Sequence, residues 1–104
     1  MYVNKTNLKI YALKYAKMSN QALNEAREKL GQGLLELSIE ELVQFEPGSR
    51  QEAIINAYRA INMEGLEQAF SKFDSFSIFD EVYPKLLKEI HNPPMLLFYQ
   101  GNID

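Results

Sequence analysis

The chain has no cysteine, no tryptophan and only one histidine, His91. Without cysteine there is no disulfide framework and no thiolate metal site, and a lone histidine does not make an imidazole site for zinc. No apolar run approaches the roughly 20 residues that cross a bilayer. The first residues also lack the apolar core and small-residue cleavage site of a secretion signal. These absences lead us to expect a cytoplasmic protein with no membrane partner, no metal and no cofactor. His91 stands two residues before Pro93-Pro94, and no nucleophile or carboxylate in the sequence is arranged with it. It reads as an exposed histidine at a helix end, and the chain is not expected to be an enzyme.

What is present is the composition of an ordinary globular domain, 46% hydrophobic and 24% charged over 104 residues, enough for one small domain with a modest core. The net charge of −3 conceals an asymmetry. Residues 1–35 carry Lys5, Lys9, Lys14, Lys17, Arg27 and Lys29 against Glu25 and Glu28, a net of +4, whereas residues 36–104 carry five bases against twelve acids, a net of −7. Phosphate binding requires clustered positive charge, so only the N-terminal end qualifies as a nucleic-acid surface.

Along the chain, Asn4 to Lys17 has helical spacing, with Leu8, Tyr11, Ala12 and Tyr15 on one stripe. Ile10 and Leu13 lie off it, which predicts a helix packed between neighbours. Ser19 or Asn20 can cap a second helix with Leu23, Ala26 and Leu30 inward, ended by Gly31-Gln32-Gly33. Ser38-Ile39-Glu40-Glu41 is a capping box that opens a third helix. Ser49-Arg50-Gln51-Glu52 reads as a second box, opening a fourth with Ile54, Ile55, Tyr58 and Ile61 inward. A fifth is predicted from Asn62 to about Phe73, burying Leu66, Ala69, Phe70 and Phe73. Together these make a small five-helix bundle over residues 1–74.

Most charged constellations have plain structural readings. Glu40-Glu41 and Asp80-Glu81 could be mistaken for acid–base dyads, but both sit where helix N-termini favour negative charge. Lys5, Lys9, Lys14 and Lys17, interleaved with Tyr11 and Tyr15, are candidate DNA contacts, since lysines along a backbone with tyrosine stacking is how unspecific single-strand binding works. A solvated lysine face over core tyrosines is the competing reading, and the favoured one. Phe45-Glu46-Pro47-Gly48-Ser49 has some likeness to a phosphate-binding hairpin, but it holds one glycine and an acid that would repel phosphate.

The last third reads as a unit. Phe76 to Phe79 is a short apolar strand, Pro84 suits the first position of a short helix, and Leu87 and Ile90 share its inner face. Pro93-Pro94 stops that helix and favours extended geometry, so Met95 to Tyr99 reads as a second strand, ended by Gly101-Asn102. This is the βαβ start of a sheet that needs more strands and a covering layer.

The pattern Tyr83, Pro84, Leu87, Ile90, Pro93, Pro94, Leu96, Phe98, Gly101 and Asn102 resembles the opening segment of the DNA-processing protein A (DprA/Smf) family. The helical part resembles the N-terminal, sterile-alpha-motif-like (SAM-like) domain of some members. The resemblance implies a mainly α chain: a SAM-like bundle over 1–74, then residues 75–104 as a truncated strand-helix-strand that begins a Rossmann-like α/β domain. It also implies a non-enzymatic role in natural transformation, in which the full-length protein binds single-stranded DNA and helps load RecA, and its DNA-binding residues lie beyond Asp104. This part is then an accessory or protein-binding domain. The exposed strand pair further predicts a homodimer. The alternative is a free-standing helical interaction module.

Overall fold

The computed structural model describes residues 4–99, with the side chain of Tyr99 excepted; Gly101 and Asn102 of the motif lie outside them. Five α-helices come first: α1 Lys5–Tyr15, α2 Asn20–Leu30, α3 Ile39–Leu42, α4 Gly48–Arg59 and α5 Met63–Phe70. Strand β1 (Asp74–Ser77), the single turn α6 (Lys85–Lys88) and strand β2 (Leu96–Tyr99) follow. The fold is mainly α, a five-helix bundle joined to the start of an α/β layer, as the sequence leads one to expect.

Local signals explain most helix starts. Asn4, Ser19 and Asn62 each accept a backbone N–H of the first turn, from Asn7, Ala22 and Gly65, the capping that short polar side chains supply. At α3 both halves of the box form: Ser38 accepts from the Glu41 N–H, and the Glu41 carboxylate accepts from the Ser38 N–H. The second predicted box does not form. Helix α4 begins two residues earlier, with Pro47 at the N-cap and no capping side chain, so Ser49 already lies inside the helix.

Helix α1 is packed between neighbours, touching α4, α5 and both strands. Ile10, Ala12 and Leu13 are fully buried. With so many sides covered, Tyr15 falls on the narrow exposed strip and is 60% exposed, contrary to the single-stripe reading. Leu30 also turns out exposed. Gly31, at φ +57°, ends α2 and starts a 3-10 stretch, Gly31–Glu36, that buries Leu34 instead. On α5, Leu66 and Phe70 are buried; Phe73 is exposed because the helix stops at Phe70, and Ala69, inside the helix, is exposed where it lines an open groove.

The strands pair antiparallel, Asp74 opposite Tyr99 and Ser77 opposite Leu96, which corrects the βαβ expectation. Helix α6 is a single turn, not the long crossover helix that usually joins parallel strands. Strand β1 also starts two residues earlier than predicted. Asp80 accepts from the Ser77 N–H at 2.6 Å and its own N–H bonds the Ser77 carbonyl, so the chain turns there and only Ile78 keeps a bond to Met95. Asp80 is thus a turn residue, not a helix-dipole residue. Pro84 occupies the N-cap of α6 rather than its first position. One cluster of buried side chains runs from Leu8 on α1 through Leu42 and Ile54 to Ile78, Tyr83 and Met95. The strand unit therefore shares its core with the helices.

Candidate functional site

The motif segment lies on α2. Proline donates no N–H, so the Asn92-Pro93-Pro94 carbonyls must find donors outside the segment. Asn20 supplies Nδ2 to the Asn92 carbonyl at 3.1 Å and to the Pro93 carbonyl at 2.8 Å, and its Oδ1 accepts from the Met95 N–H at 3.2 Å. Asn24, 6% exposed, donates to the Pro93 carbonyl at 2.7 Å and to Asn92 Oδ1 at 3.0 Å. The Tyr83 hydroxyl donates to the Pro94 carbonyl at 2.7 Å. Asn92 has φ +58°, a conformation asparagine tolerates better than most residues.

The motif positions divide by burial. Tyr83, Pro93 and Leu96 are buried, Leu87 is half-buried against the core, and Pro94 is half-buried. Ile90 is 49% exposed, off the inner face assigned to it, because the helix is a single turn ending at Lys88. Phe98 is 48% exposed, yet its ring meets Tyr11, Phe70 and Phe73 edge-on at centroid distances of 5.8 to 6.0 Å. Tyr11 also stacks on Phe70 at 4.9 Å. Tyr83 lies edge-on to Phe76 and under the Lys88 ammonium, and burial raises its phenol above the ordinary value, with the Arg27 charge opposing.

The four candidate lysines do not form one row. Lys5 and Lys9 are one turn apart, and Lys14 is 180° around the helix from Lys5 at 100° per residue. Lys5 pairs with Glu67 at 3.5 Å, and Lys9 donates to the Leu37 carbonyl at 3.2 Å. Lys14 is held below its ordinary pKa by burial, and Lys17 sits in the following turn at φ +75°. Beside them, Tyr11, Tyr15, Ile61 and Leu66 line an open groove of about 460 Å³ between α1, α4 and α5. At the hairpin, Glu46 does not face outward as a repelling charge. Its buried carboxylate accepts from the Ser19 N–H at 2.6 Å and lies 3.6 Å from Arg50.

Sequence reasoning does not find the asparagines: it gives Asn20 only a capping role and Asn24 none. A detectable signal was the proline pair, whose carbonyls oblige some other element to present donors. Among the described residues no group of three or more His, Asp or Glu could hold a metal ion, and no helix is long and apolar enough to cross a membrane.

No family model matches the chain. It is 40% identical over 103 residues to the DNA processing protein DprA of Streptococcus pneumoniae, covering 95% of this chain and 35% of that protein. The X-ray structure of DNA processing protein A from the same organism superposes with a TM-score of 0.81 at 33% identity, covering 98% of this chain and 35% of that one. The chain thus spans about a third of the length of the proteins it matches.

Proposed function

We propose, from the premise that this chain belongs to the DprA family and corresponds to about a third of such a protein, that it is the accessory portion of a protein that handles single-stranded DNA. In this reading the whole protein takes up single-stranded DNA during natural transformation and helps load RecA, in the cytoplasm and without being an enzyme. Residues 1–74 form a SAM-like interaction domain, and residues 75–104 open the Rossmann-like domain in which the DNA surface lies. The chain itself pairs as a homodimer or binds another protein.

The observation that carries the reading is the likeness over 95% of the chain, helices and strand unit together. A free-standing helical module gives no reason for the strand unit to be included. That Lys5 and Lys9 already have partners and that Lys14 lies on the opposite side of α1 from Lys5 support placing the DNA surface elsewhere.

The test is a titration with single-stranded DNA at low and moderate salt. This chain is expected to bind weakly or not at all, with little change on substituting Lys5, Lys9 and Lys14 by alanine. Tight, salt-sensitive binding that those substitutions abolish would move the DNA site onto α1 and overturn the accessory role.

A further inference from the structure

We propose that Asn20 and Asn24 are positioning residues, a polar joint on α2 that locks the Asn92–Met95 segment to the bundle, so that helices and strand unit open and close together. The inference rests on the division into residues 1–74 and 75–104 proposed above and states how the two parts are coupled.

The amide orientations are forced by their partners. Arg27 can only donate, and its Nε and Nη2 lie 3.2 and 3.1 Å from Asn24 Oδ1, so Asn24 must turn Nδ2 toward the Pro93 carbonyl. Asn20 is fixed in the same way: the Met95 N–H needs an acceptor and the Pro93 carbonyl needs a donor, which places Oδ1 and Nδ2 without ambiguity. Pro93 O accepts from both asparagines and Asn92 Oδ1 also accepts from both. Met95 in turn accepts the Ile78 N–H at 3.0 Å. A continuous hydrogen-bonded path therefore runs from Arg27 through Asn24, Pro93 and Asn20 to Met95 and Ile78, the residue that follows β1. Because Pro93 is buried and Asn24 is shielded from water, losing both asparagine donors leaves the Pro93 carbonyl unpaired, and water does not replace them at little cost.

Coupling predicts a pattern of amide exchange that lowered stability alone does not produce. In the unmodified chain, Ile78 should be protected to the same degree as Ala12 and Leu13 in the core of α1. In the variant combining Asn20→Asp with Asn24→Ala, which keeps an acceptor for Met95 but removes the donors to Pro93, Ile78 should lose at least tenfold more protection than Ala12 and Leu13. The idea is overturned if protection falls by the same factor everywhere, if it does not fall, or if Ile78 already exchanges far faster than α1 in the unmodified chain. That last comparison needs no variant and so stands even if the double variant fails to fold. None of these outcomes depends on whether the chain binds DNA, so the accessory role can fail independently.

Discussion

Tyr83 is 1% exposed and hydrogen-bonded through its hydroxyl, and burial is the larger of the two influences on its ionisation. The unfolded phenol ionises near 10.0, the folded one higher. The folded-state advantage is therefore complete below pH 10 and is lost as pH rises above it. Tyr83→Phe is expected to remove this alkaline loss, while at neutral pH it costs about 1 kcal/mol because the Pro94 carbonyl loses its donor. Urea midpoints for both proteins at neutral pH and above pH 10 check both halves of that statement. Glu46 is the second residue with a large expected effect. Its carboxylate accepts from Ser19, the N-cap of α2, and faces Arg50, so Glu46→Ala should cost about 2 kcal/mol in the same denaturation assay.

The elements vary in how plainly their sequences announce them. Helix α3 is only four residues long and depends on its box, so Ser38→Ala should destabilise the chain by about 1 kcal/mol, measured as a shift in thermal midpoint. That box was legible because all its parts lie within four residues. The Ser49 box had the same pattern and failed, because Pro47 pre-sets helical φ two residues earlier and the helix starts at Gly48, which puts Ser49 inside it. The faces of α1 were legible only in part. A period of 3.6 identifies one buried stripe, whereas this helix is buried by the bundle on one side and the sheet on another, and which residue is left over depends on the neighbours. Strand direction was not legible either, since the apolar runs Phe76–Phe79 and Met95–Tyr99 fit parallel and antiparallel pairing equally. The motif letters showed where the chain turns, but not that α2 would receive it, because Asn20 and Asn24 look like ordinary helix-surface residues until the proline carbonyls are in place.

At the scale of the whole molecule, the exposed apolar side chains gather toward the C-terminal unit: Phe73, Val82, Leu86, Ile90 and Phe98 are all between 48% and 80% exposed. Of these, Phe73 and Phe98 adjoin, their ring centroids 6.0 Å apart, and exposed apolar groups side by side favour association. Sedimentation over a wide concentration range is expected to reveal a dimer, and replacing Leu86 and Phe98 by serine should shift it toward monomer. A single monomer mass at every concentration would count against self-association.

The clasp between α2 and the proline segment also sets an order of events. Asn20 is bonded to residues 72, 73 and 75 positions further along, so its partners are the last part of this stretch to be synthesised. Contacts of such separation close late, after local helices have had time to form. During translation only the local helices should form before Pro93 emerges, with the Asn20 and Asn24 amides still in water. The shared core then closes when the strand pair docks, and any delay leaves apolar surface of both parts exposed until α2 has taken hold of the proline segment.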